Sequence, residues 1–448
     1  MRSNKNNLFE KGTVVTFINY ITKIFLNPII VLFVPVFLTE EVQGYWYTFG
    51  SIAALTSFAD LGFTSIMTQY TAHEYTYLTL DEKKRCFVGD NNKLERIASL
   101  FKFIVKWIIV VLCIAFLIIA TVGCIIFTGK NDNVYWLTPW ILYVFGTVIN
   151  FSMEVGLSFF EGCSQFHITQ KIRIVASTTH CLLTIVLLVL DMNLFALAIP
   201  LYVKAAIVAI GLLNKYGFAI KQMVAIKNNT RINWIGDIIP LLIRYAVSWM
   251  SGYFAQQIYN PIAFSRFSAS EAGLVGYCIS IVSAIYSVAN VWNLLAVPQY
   301  NMAVEKKDWR KMDYLMKKNL LLSIITYIIG IAALFGTSII PFSNRLIWSH
   351  ILSPKAVVML AINYLCSIII YVEATYLRAH KKEPFMIISV CSGLISSILT
   401  LFFTNILGIE YMFLGLMLTN IIILPVSVYI WKKCRMEWHK NGVFEGKS

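Results

Sequence analysis

Lys23, Lys204 and Arg244 are solitary cations, each about ten residues inside a long apolar run. Ten residues at about 1.5 Å rise put a side chain roughly 15 Å along a helix, and runs of this length read as membrane spans. A cation at that depth costs about 2.5–3.5 kcal/mol on insertion scales unless it meets water or a counter-charge. The chemistry such residues offer is anion binding at the bilayer midplane. The planar fork of Arg244 suits a phosphate in two-point contact, and Lys23 would act as a point charge on the opposing bundle. Lys204 either joins them or stabilises a bundle interior.

The acids fall elsewhere. Asp60, Glu154 and Glu373 lie roughly 22–28 Å in from the outer face at the same rise per residue, in the cytoplasmic third. There they could pair with the cations, relay protons or carry a coupling ion. They could equally be near-interface acids neutralised by basic loops, the favoured reading for Glu373, which has Arg378 five residues on. His180 reads as a hydrogen-bonded packing residue. Asn19, Gln256, Gln257, Asn290 and Asn293 suit a wet, sugar-compatible cavity, although polar residues also join membrane helices to one another. No zinc spacing, P-loop, dinucleotide-binding turn or nucleophile elbow occurs, so neither a metal nor a cofactor is implied.

These residues must be positioned by membrane helices. Hydrophobic residues make up 58% of the 448 and charged residues only 13%, which excludes an ordinary soluble protein. No polar stretch longer than about 30 residues is left for a catalytic or nucleotide-binding domain. The net charge of +14 does not form one basic face. It is dispersed in short connectors, the positive-inside pattern of a multi-spanning protein and not a nucleic-acid footprint. The nine cysteines show no CxxC and no pairing pattern, so free thiols are expected.

Twelve runs approach spanning length: 12–38, 45–71, 99–128, 135–160, 172–190, 194–214, 234–264, 273–298, 319–341, 356–377, 385–404 and 411–431. The first is too long for a signal-peptide core and is read as an uncleaved span. Lys83, Lys84, Arg85, Lys93, Arg96, Lys171, Arg173, Lys215, Lys221, Lys306, Lys307, Arg310 and Arg378 crowd one set of connectors. The other set holds only Lys130, Arg266, Arg345 and Lys355. An even span count with both termini cytoplasmic follows.

The two halves rhyme. Asn27-Pro28-Ile29 in the first span matches Asn260-Pro261-Ile262 in the seventh, and each proline is expected to bend its helix. Each is followed by a turn holding an acid and Gly-Tyr, at Glu41 to Tyr45 and at Glu271 to Tyr277, and Lys23 and Arg244 lie at similar depths. The expected fold is all-α, with about twelve spans in two pseudo-symmetric six-helix bundles around a central cavity. The first bundle covers 1–215 and the second 234–431, joined by a cytoplasmic linker at 216–233 and followed by a tail at 432–448.

Thr39 to Trp46, Phe58-Ala59-Asp60-Leu61-Gly62, Glu161-Gly162 and Ala269 through Tyr277 resemble recurring features of polysaccharide transporters. Together with the span number and loop sizes, they make the chain resemble the O-antigen flippases (Wzx type) of the multidrug/oligosaccharidyl-lipid/polysaccharide exporter superfamily. That resemblance implies alternating access by two lobes in the bacterial inner membrane. The cargo would be an undecaprenyl-diphosphate-linked oligosaccharide, passed from the inner to the outer leaflet during O-antigen and lipopolysaccharide assembly. The family's cationic cavity would map onto Lys23 and Arg244, and the partners would be the lipid-linked glycan, the bilayer and other glycan-assembly proteins. Two rivals remain at this level. A membrane-embedded glycan polymerase or ligase would need a large external loop, whereas the longest here is about 14 residues, around Phe342 to Lys355. A multidrug exporter of the same superfamily should be acidic, not basic, at the midplane.

Overall fold

The computed structural model describes residues 28–60, 62–81, 85–130, 133–227, 232–240, 256–341, 347–380 and 382–440, with residues 22, 26, 242, 253 and 344 besides. Most of the expected first span, and Arg244 with its neighbours in the seventh, lie outside them. So do Asn19, Lys23 and Asn27.

Ten helices among the described residues are long and apolar enough to cross a membrane. The protein is all-α and multi-spanning. Polar residues at the ends of the apolar runs start the helices. The Asp90 carboxylate accepts the Lys93 amide at 2.9 Å to open α5, Asn91–Thr128, and Ser353 caps α13, Pro354–Ala379, with proline in its first turn. Outward faces carry Ile109, Leu117 and Ile125 on α5, and Ile398 and Phe402 on α14, Met386–Leu407. Such a surface suits acyl chains and would associate in water.

Contacts divide the chain into two units: Met1–Leu26 with Thr48–Met250, and Asn27–Tyr47 with Ser251–Ser448. In the first unit α4, Phe63–Tyr75, and α8, Phe195–Ala225, both pack on α6, Leu137–Gly162, while α7, Phe166–Val189, packs on α8. Phe63, Met67, Phe159, Phe160 and Tyr216 centre its core, with the rings of Phe160 and Tyr216 stacked at 4.0 Å. In the second unit α15, Leu414–Lys440, packs against α13 and α14. There α10, Ala269–Ala289, contacts α9, Tyr259–Arg266, as well as α12, Trp309–Gly336, and α13; α11, Val291–Glu305, lies on α12.

Three local expectations are corrected. The Gly-Tyr segments read as turns are helical: Gly44 and Tyr45 lie in α2, Glu40–Ala53, and Gly276 and Tyr277 in α10. Helix starts and turns share acids and small residues, and the capping box of Ser268 with Glu271 shows why a turn signal marks a helix start here. Pro261 does not bend a continuous helix. The chain breaks at Gln257–Ile258 and α9 begins at Tyr259, leaving Pro261 in a first turn where its missing N–H costs little. The basic connector after the second span forms an antiparallel hairpin, β1 Leu78–Asp81 with β2 Cys86–Gly89. The amide side chain of Gln222 accepts from the Phe87 N–H at 2.7 Å and donates to the Phe87 carbonyl at 2.9 Å. All nine cysteines are free.

Candidate functional site

Of the three basic candidates, the structure describes Lys204. It lies nine residues into α8, roughly 14 Å along the helix, and is partly exposed. Among the described residues no carboxylate lies within 4.0 Å of it, and its electrostatic neighbour is His180 on α7. A cation at this depth needs water or a counter-charge to offset its insertion cost.

Nearer the Gly162 end of α6, acids gather on one guanidinium. Arg173 Nε donates to Glu154 at 2.9 Å, and Nη1 donates to Glu161. Gln170 at 2.9 Å and Thr169 at 3.1 Å add donors to Glu161. Asp60 accepts from the Thr64 amide at 3.0 Å and its hydroxyl at 3.2 Å, holding the start of α4, and lies within electrostatic reach of Glu154. Two carboxylates, Glu154 and Glu161, share one guanidinium, and Asp60 adds a third acid nearby, so acids outnumber the cation in this cluster. Arg173, counted in the sequence as part of a basic connector, belongs to α7 and is only 12% exposed.

Glu373 overturns its expectation. Its residue is 2% exposed, one carboxyl oxygen has no hydrogen-bond partner, and Arg378 bonds instead to Glu383 at 2.8 Å. Helical geometry explains the difference, because five residues along a helix do not share a face.

The second unit contains a polar cavity of about 70 Å³. Tyr259 of α9, Tyr286 of α10, Asn363 and Ser367 of α13, Ser396 of α14 and Asn420 of α15 contribute to its wall, together with Gln256. Asn420 donates to the side-chain oxygen of Asn363 and, at 3.3 Å, to Ser367. Tyr259 is 2% exposed, and its hydroxyl is directed at Ser396 and Thr400. Among the described uncharged candidates, Gln256 reaches this wall. Asn293, fully buried, bonds Ser323 at 2.9 Å and Asn290 at 3.2 Å, joining α11 to α12, while Gln257 sits in the break before α9. Asn363 and Asn420 escaped notice because each is a single polar residue in an apolar run.

No protein-family model and no curated sequence matches the chain. Solved structures do. A lipid II flippase, MurJ, in an inward closed conformation aligns with a TM-score of 0.62 at 13% identity, over 96% of this chain and 90% of the flippase. A MATE protein in its bent conformation aligns at 0.55 and 12% identity, over 98% and 97% of the two chains. A MOP superfamily transporter from Pyrococcus furiosus aligns at 0.51 and 11% identity over 97% and 96%; a reversed polarity of its binding pocket suggests a different function for that protein. These likenesses define a class of fold: the chain has the fold found in MATE proteins, the lipid II flippase and MOP superfamily transporters.

Proposed function

We propose that this protein is a non-enzymatic flippase for an undecaprenyl-diphosphate-linked oligosaccharide. It would carry O-antigen or related repeat units from the cytoplasmic to the outer leaflet of the bacterial inner membrane, with both termini cytoplasmic. The observation that carries the reading is Lys204, midway along an apolar helix with no acid beside it among the described residues. A diphosphate cannot cross hydrocarbon unaided because its hydration has no substitute there. Fixed cations at mid-depth supply that substitute, and Lys23 and Arg244, outside the described residues, are proposed to complete the set. Alternating access would present it to each side in turn. The same fold in a lipid II flippase supports this cargo class.

The surplus of acid around Arg173 favours a second reading, export of cationic drugs, since MATE proteins share the fold. Complementation separates the two. Expressed in a mutant lacking surface-polysaccharide export, the chain is expected to restore the glycan and clear the accumulated lipid-linked saccharide. Lys23→Glu, Lys204→Glu and Arg244→Glu together should abolish this at unchanged membrane levels of protein. Intact export by that triple variant, or drug resistance without glycan export, refutes the flippase assignment.

A further inference from the structure

The cavity of the second unit has a composition that names its guest. We propose that it is a subsite for one uncharged pyranose ring, held by Tyr259, Asn363 and Asn420. The assignment rests on the reading of the chain as a saccharide carrier, and it deepens that reading by placing a sugar away from the cations.

The lining residues include no carboxylate, lysine, arginine or histidine. An ion entering would lose hydration without meeting an opposite charge. Hydrogen-bonding capacity, in contrast, is in surplus. Asn420 and Asn363 share one amide–amide bond, and whichever way the two amides are turned, further N–H and C=O capacity remains for a guest. Ser367, which accepts from Asn420 at 3.3 Å, adds a hydroxyl to the same wall. The rings of Tyr259, Tyr286 and Tyr364 supply flat apolar surface for the C–H face of a sugar.

Size agrees. One water needs about 10–15 Å³ of such space, so 70 Å³ accommodates about five, comparable in bulk to one hexose. Depth agrees as well. Asn363 is nine residues into α13 and Ser396 eleven from the end of α14, so both sit about 14–17 Å along their helices, near mid-bilayer.

The test is saturation-transfer difference NMR on the full chain in lipid nanodiscs, with methyl glycosides of a hexose, a 6-deoxyhexose and an N-acetylhexosamine as probes. At least one glycoside is expected to show transfer. Asn363→Leu and Asn420→Leu should each weaken its binding about three- to tenfold. Thermal melts identify any variant that fails to fold, and Ser396→Val then replaces it. No transfer from any of the three glycosides to folded wild-type protein, or transfer indifferent to both cavity variants, overturns the subsite. Glycan export restored in cells without glycoside binding removes the subsite and leaves the flippase reading. Glycoside binding without export does the reverse.

Discussion

A Cβ atom on Gly44 would lie 1.9 Å from the carbonyl oxygen of Ala269. Helix α2 therefore crosses the start of α10 backbone against backbone. The contact is reciprocal: a Cβ on Gly273 would come within 2.4 Å of the Glu40 carbonyl oxygen, and one on Gly276 within 2.3 Å of the Tyr47 ring. Hydroxyls cap both starts, Thr39 accepting from Val42 at 3.4 Å and Ser268 from Glu271 at 3.1 Å. The rhyme between the two Gly-Tyr segments thus records two like helix starts that fit one another. Gly44→Ala should cost about 1–3 kcal/mol, because only backbone movement can make room. Gly50→Ala, where no atom lies within 4 Å, should be neutral or slightly stabilising. Thermal unfolding of the two variants in detergent checks the contrast, and equal melting temperatures contradict the crossing.

The Arg173 cluster makes a second prediction. Removing the guanidinium takes the Arg173 donor from Glu154 and leaves Glu161 with Gln170 and Thr169 as donors among the described residues. Arg173→Met should cost about 3 kcal/mol or more, the expense of an uncompensated partly buried charge. Adding Glu154→Gln and Glu161→Gln should recover most of that loss. Unfolding midpoints for the single and triple variants decide it. A triple variant no more stable than Arg173→Met alone would show that shape, not charge, holds the cluster.

Apolar runs of spanning length were legible in the sequence because each is a property of one segment, whereas the helix starts at Glu40 and Ala269 were read as turns. Pairings between segments were not legible. The hairpin at Leu78 to Gly89 is clamped by Gln222, 135 residues beyond Phe87, and nothing local in either stretch announces the other. Glu154 and Glu161 were visible as acids, but Arg173 as their partner needed the packing of α7 on α6. The cavity is the extreme case: Tyr259, Asn363, Ser396 and Asn420 come from four helices. Each looks like ordinary polar seasoning in an apolar run, and only the fold brings them to one wall. Asn290 and Asn293 carried the same sequence signal and became a link between helices instead.

His350, in the connector between α12 and α13, gives the chain a pH response. Its Nδ1 accepts from the Gln43 side chain at 3.5 Å, which requires an unprotonated nitrogen, and Gln43 also donates to the Leu38 carbonyl at 2.8 Å. The Tyr277 ring packs edge-on at 6.2 Å. Burial pushes the imidazole below its ordinary value, although the nearby Glu40 carboxylate opposes this. The unfolded chain, with the higher pKa near 6.5, therefore takes up the proton first. Stability from this contact is full above that pH and is lost as pH falls from there through the lower folded value. Melting temperature should drop more between pH 7.5 and 5.5 in wild-type protein than in His350→Gln. Parallel curves for the two proteins refute the assignment.

Glu373 offers the sharpest separation of charge from shape. Its carboxyl is buried on α13, with Ser427 of α15 as a polar neighbour and no lysine, arginine or histidine within 4.0 Å among the described residues. A charge in that position has no opposite charge beside it to offset lost hydration. Glu373→Gln keeps the volume and a donor for Ser427 and should unfold within about 1 kcal/mol of wild type. Glu373→Ala opens a hole and should cost about 2 kcal/mol. Glu373→Lys should not accumulate in membranes at all, because a longer cation must be buried beside Val372 and Tyr376, both inaccessible to solvent. Fluorescence-detected size-exclusion profiles of the three variants order them. A Lys variant that elutes like wild type would mean that the carboxyl faces water and that its burial has been misassigned.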